Sequence, residues 1–186
     1  MTRPELWPRR TDHLELRVPS DADLDAVLAW RNHPDVTRWL LRTEVDPQTY
    51  RASWWRGAAD PRDHSVVAVV DGAVVGTLSL EVGDGMGQGP DSPALGSEGL
   101  LGYLLDPAHH GRGYATEMVR AALDLAFGDL GLHRVTAGCF ADNIASWRVM
   151  EKAGMRREQH GVRDSWHAEL GWVDGLTYAV LADERA

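Results

Sequence analysis

The sequence predicts an α/β (α+β) fold, and three observations carry that reading. An apolar run at residues 100–105, too short for a helix, is followed ten residues later by one helical stripe: Ala115, Met118, Val119, Ala122, Leu123 and Ala126. A second strand-like run at 133–140 is followed by a second helical stretch at 143–153. Two further apolar runs, 65–70 and 73–80, are joined by Asp71-Gly72, a dipeptide suited to the positive φ angles of a type I′ hairpin turn.

Composition bounds the rest. The 186 residues suit a single domain, read as an arm at 1–12 and one domain at 13–186. Nineteen basic against 28 acidic side chains leave a net charge of −9, which argues against nucleic acid and suits a cationic or amine partner. One cysteine, Cys139, excludes a disulfide framework and a cysteine-based zinc site. It reads as a small buried hydrophobe rather than a nucleophile. No apolar leader follows Met1 and no run approaches a membrane span, so a cytoplasmic, metal-free protein, monomer or homodimer, is expected.

In chain order, residues 13–18 alternate as a half-buried strand, and Pro19-Ser20-Asp21 offers capping chemistry for a helix over 22–30. Asn32-His33-Pro34 breaks it. Short helical pieces then carry Val36, Trp39, Leu40 and Leu41, and, from Asp46-Pro47, Tyr50, Trp54 and Trp55. The tryptophans 30, 39, 54 and 55 are expected mostly in the core, with one or two walling a pocket. Residues 83–93, with spaced glycines and prolines, read as a surface loop.

The centre of the chain is the connection His110-Gly111-Arg112-Gly113-Tyr114-Ala115-Thr116, between strand 100–105 and its helix. The first N–H groups of a helix have no internal partner and carry partial positive charge, so two glycines there allow either a tight turn or a phosphate cradle. Gly128 stands where a left-handed C-terminal cap is expected. Asp142-Asn143 caps the second helix and Gly154 closes it. Residues 155–186 read as a long strand, a loop rich in Asp164, Trp166, His167 and Glu169, then a closing strand.

Three of these stretches resemble one family. The run 110–115 is similar to the pyrophosphate loop of the GNAT N-acetyltransferases, [QR]-x-x-G-x-[GA], with His110 where Gln or Arg is usual. Gly113-Tyr114-Ala115-Thr116-Glu117 resembles the wording of the RimJ/RimL-like branch. Residues 143–155 are similar to the family's Asn-x-x-[AS]-x-x-x-[LY]-[EQ]-K-x-G-[FM] helix, and Trp172-x-Asp174-x-x-x-Tyr178 resembles the branch's C-terminal signature. The resemblance implies a twisted, mostly antiparallel mixed sheet, with helices on both faces and a central parallel pair of strands that splay apart. It implies acetyl-CoA as co-substrate and an amine acceptor. Tyr103, Leu104 and Leu105 would meet pantetheine through their backbone, and His110, Gly111, Arg112, Gly113, Tyr114, Ala115 and Thr116 would hold the pyrophosphate, with Asn143 and Ser146 in the helix motif. Arg112, Arg148 or Lys152 would assist the 3′-phosphate, each being equally ordinary as a solvated charge.

Two departures bear on chemistry. Met150 stands where many members place an acid tyrosine, and Gly138 where some N-terminal acetyltransferases carry an acidic residue. Ser146 is the expected thiolate partner, with water or no specific group as the alternatives and a bond to local backbone as its plain role. Glu98 is the expected base, with a solvated loop carboxylate as the plain alternative and Asp164, His167 and Glu169 as rivals. At pH 7, neutralising an α-amine of pKa ~8 costs about 1.4 kcal/mol, against about 4.6 kcal/mol for a lysine. A modest base thus favours the α-amino group of a peptide or protein N-terminus or a small amino compound. An aminoglycoside or polyamine is the alternative acceptor, and a non-catalytic acyl-CoA-binding sensor the alternative function.

Overall fold

The computed structural model describes residues 6–185, in which eight strands form one sheet in the order β1-β2-β3-β4-β5-β6-β8-β7. Strands β1 (Arg9–Arg10) and β2 (Glu15–Arg17) lead into α1 (Asp21–Arg31), α2 (Pro34–Thr37) and α3 (Pro47–Ala59). Then come β3 (Val66–Val70), β4 (Ala73–Gly83), β5 (Glu98–Leu105), α4 (Tyr114–Asp124), β6 (Arg134–Phe140), α5 (Ile144–Lys152), β7 (Arg156–His167) and β8 (Gly171–Leu181). Every neighbouring pair is antiparallel except β5 and β6, as expected for the α/β fold with one central parallel pair. Of the stretch read as an arm, residues 1–5 lie outside the described residues. From Leu6 onward it joins the body: Leu6 and Trp7 are buried, and β1 pairs with β2.

Local chemistry places the ends of the helices. Ser20 caps α1 in a reciprocal box with Asp23, Asp46 caps α3, and Asn143 accepts from the Ser146 N–H at the start of α5. The turn after β3 takes φ 49° at Asp71 and 82° at Gly72, as a type I′ turn requires. At the end of α4 the expectation differs from the structure. The helix runs on through a π turn at Leu125–Asp129 that contains Gly128, and it is Gly131 that adopts positive φ. The expected loop of Asp164, Trp166 and His167 is strand, because β7 continues across two register shifts to His167; only Glu169 lies in the turn.

The sheet is covered on both faces, and β3 shows it by alternation. Val66 and Ala68 pack with Met118, Val119 and Ala122 of α4, while Val67 and Val69 pack with Val27, Trp30 and Val36. Among the described residues, no helix is long and apolar enough to cross a membrane.

Candidate active site

Strands β5 and β6 pair only over Glu98↔Arg134, Gly99↔Val135 and Leu100↔Thr136. Beyond that point β5 stays bonded to β4 as far as Gly76↔Leu105, and β6 stays bonded to β8 as far as Phe140↔Gly175. Each strand keeps its outer partner while the inner edges part. A cavity of about 980 Å³ occupies the opening. Its inner walls carry backbone groups with no strand partner, which a ligand amide can meet as an added strand would.

One end of the cavity is the start of α4. Gly113 is its N-cap at φ 87°, with no side-chain capping bond, so the first helical N–H groups are left for a ligand. Gly111 is also left-handed, at φ 76°. A Cβ at either glycine would meet nothing within 4 Å, so backbone conformation, not crowding, requires glycine. The His110 ring reaches the Leu105 carbonyl at 3.2 Å, which places the proton on Nε2. Arg148 and Lys152 of α5 flank this end.

The opposite end is built by α2, α3 and the segment between them: Asp35, Val36, Trp39, Leu40, Leu41 and Trp54. Of the four tryptophans, Trp39 and Trp54 wall the cavity, Trp30 is core and Trp55 is exposed. Trp39 packs against His167 at 5.1 Å with the rings tilted by 59°, and the His167 ring also meets Phe140 at 5.2 Å.

Between the two ends lies a hydroxyl cluster. The Tyr103 phenol donates to the Ser146 carbonyl at 2.8 Å and lies 3.0 Å from Ser146 Oγ, so this ring from β5 reaches across the gap to α5. Burial pushes the Tyr103 phenol up to about 12 and also raises the Cys139 thiol; contact with Ser146 opposes the rise in both. Thr77 and Ser79, two apart on β4, line the cavity as well.

Tyr103, Leu104, Leu105, His110, Gly111, Gly113, Tyr114, Ala115, Thr116, Asn143, Ser146 and Lys152 all line the opening; Arg112 does not. Nor does Glu98. It sits at the paired end of β5 and β6, beside Arg134 at 3.9 Å, because the strands splay at the other end of β5. His167 is equally committed: Nε2–H donates to the Arg38 carbonyl at 2.7 Å, and Nδ1 accepts from the Glu169 and Leu170 N–H groups. Asp164 and Glu169 are not in the cavity wall either. Asp35 and the phenol of Tyr103 were not anticipated as functional groups. The signal for Tyr103 is a single hydroxyl in the otherwise apolar run 100–105.

Residues 13–156 match the family model described as "Acetyltransferase (GNAT) domain". The chain belongs to the GNAT acetyltransferase family. Bacillus subtilis (strain 168) "Probable N-acetyltransferase YjcK" is 52% identical over 83 residues, 44% of this GNAT chain and 45% of that protein, so the match spans about half of the relative. The Klebsiella pneumoniae "Aminoglycoside N(6')-acetyltransferase type 1" is 24% identical over 163 residues, 85% of this chain and 81% of its own. Among solved structures, a GNAT-family acetyltransferase from Bacillus anthracis superposes with TM-score 0.78 at 23% identity, covering 95% of this chain and 99% of that one. Mycobacterium smegmatis RimJ in complex with CoA-disulfide superposes with TM-score 0.75 at 24% identity, covering 92% and 83%. These likenesses establish the GNAT fold.

Proposed function

We propose that this protein is an acetyl-CoA-dependent N-acetyltransferase of the RimJ/RimL-like branch, formed by a single domain over residues 13–186, whose preferred acceptor is an α-amine of a peptide or protein N-terminus or of a small amino compound. The observation that carries the reading is the parted pair β5 and β6, with an uncapped helix N-terminus at one end of the opening. Acetyl-CoA fits it: the unpaired inner edges suit a pantetheine amide chain, and the α4 N–H groups with Arg148 and Lys152 suit phosphates. The branch assignment rests on the wording of 113–117 and 143–155 and is in keeping with the likeness to RimJ.

The co-substrate supplies a thioester carbonyl to an attacking amine. The chain's residues orient the amine between Trp39 and Trp54, keep bulk water from the buried centre and meet the leaving sulfur from Ser146. Among the described residues, Asp35 is the one carboxylate in the cavity wall, and it is exposed. With no buried carboxylate in that wall among the described residues, an amine of low pKa is favoured, hence the α-amine over a lysine. Asp35 beside two indoles also favours a second acceptor class, a cationic aminoglycoside or polyamine.

Intact-mass analysis of peptide, amino-acid, aminoglycoside and polyamine acceptors incubated with acetyl-CoA tests this. A gain of one acetyl group on a free α-amine, faster than on an α-blocked lysine peptide, is expected. Faster transfer to the polycations moves the acceptor to the second class. Binding of CoA with transfer to none of them makes the protein a sensor.

A further inference from the structure

The contact between Tyr103 and Ser146 has a direction. A carbonyl oxygen only accepts, so the 2.8 Å contact to the Ser146 carbonyl consumes the single phenolic proton. The 3.0 Å contact between the two hydroxyl oxygens is then made by the serine: Ser146 Oγ–H donates to Tyr103 Oη. The two hydroxyls already form a chain, and both carbonyl and serine oxygen lie within reach of one phenolic proton. Rotation about the phenol C–O bond reverses the chain's polarity without moving a heavy atom.

This reversal meets a need that Ser146 cannot meet alone. A serine hydroxyl is a far weaker acid than a phenol, and a serine left as alkoxide in a buried site carries an uncompensated charge. Met150, one turn further along α5, is fully buried and has no proton to give.

Resting on the acetyltransferase reading above, we propose that Tyr103 is the acid behind Ser146: as the leaving sulfur departs, Ser146 Oγ passes its proton to sulfur while Tyr103 passes its own to Ser146 Oγ. The bookkeeping closes. The amine nitrogen forms a bond to the acetyl carbon, the C–S bond breaks with its electron pair on sulfur, and sulfur gains the serine proton. Serine is restored by the phenol. The proton shed by the amine goes to water, and water returns one to the phenolate. Tyr103 touches no reacting atom and acts through Ser146, so it is a positioning and relay residue. Burial, which raises the phenol to about 12, keeps it protonated across the physiological range, so the proton is in place when the sulfur departs.

The test is the single-turnover rate of CoA thiol release with a saturating amine, for wild type, Tyr103→Phe, Ser146→Ala and the double variant. Phenylalanine keeps the ring, and the melting temperature of each variant shows that it is folded. Tyr103→Phe is expected to lower the rate roughly 10²-fold with acetyl-CoA affinity changed less than about twofold. The double variant is expected to be no slower than Ser146→Ala, since the two hydroxyls act as one unit. Replacing Tyr103 by 3-fluorotyrosine, a stronger acid, is expected to move the alkaline limb of the pH–rate profile to lower pH. Multiplicative losses in the double variant, or an alkaline limb unmoved by fluorination, overturn the relay. A wild-type protein that releases no thiol with any amine overturns the acetyltransferase reading itself, and the relay with it.

Discussion

The imidazole of His167 and the backbone carbonyl of Arg38 are joined at 2.7 Å, tying the end of β7 to the segment that follows α2. The bond spans 129 positions of sequence and holds Trp39, the next residue, against the His167 ring. His167→Ala removes a buried ring and its three hydrogen bonds to backbone, which costs on the order of 2 kcal/mol. Chemical denaturation is expected to show that loss, and the amine KM is expected to rise with kcat per folded molecule kept. A fall in kcat at unchanged KM would instead make His167 a participant in the chemistry.

Glu98 lies at the paired end of the strand pair, outside the cavity. Glu98→Gln is therefore expected to leave the pH–rate profile superimposable on that of wild type. The measurement is the rate from pH 6 to 9. A selective loss at low pH, where the amine is mostly protonated, would restore Glu98 as the base.

Asp23 governs stability in acid. Arg17 grips its carboxylate at 2.6 and 2.7 Å, and that bond first, with help from Ser20, holds Asp23 at about 2 instead of the usual 3.8. A carboxylate with a depressed native pKa stabilises the fold above its unfolded pKa, and that stability is lost as pH falls through the folded value. Asp23 thus contributes about 2 kcal/mol at neutral pH, fading between about pH 4 and pH 2. Asp23→Ala is expected to unfold at lower urea concentration than wild type at pH 7, with the gap narrowing over that window.

Gly113 needs its left-handed backbone. Gly113→Ala is expected to cost about 1–2 kcal/mol and to weaken the rise in melting temperature produced by acetyl-CoA. Thermal shift titration measures both. An undiminished ligand shift would mean that the α4 N–H groups do not hold the phosphates.

Asp35 is exposed at the tryptophan-lined end of the cavity. Asp35→Asn is expected to raise the KM of a cationic acceptor about two- to fivefold, an effect that added salt abolishes, with acetyl-CoA affinity unchanged. An equal change for neutral and cationic acceptors would remove Asp35 from recognition.

Much of this molecule is written locally in its sequence. Asp71-Gly72, the Ser20, Asp46 and Asn143 caps, and the stripe of α4 each depend on residues within a turn or two, so each is legible without tertiary knowledge. The glycine turn before α4 belongs with them, and with it most of the cavity's end at that helix. The end of α4 was less legible, because packing carries the helix past Gly128 into a π turn. Tertiary structure alone decided which end of β5 opens. A strand looks alike at both ends, and only its pairing with β6, some 36 residues on, puts Glu98 at the closed end and Tyr103 at the open one. The same holds for the hydroxyl chain. Tyr103 and Ser146 are 43 positions apart, and no local rule brings a strand's phenol to a helix's first turn. Local hydrogen bonds and side-chain periodicity act over a few residues, whereas the partner of a strand edge is set by the packing of the whole sheet.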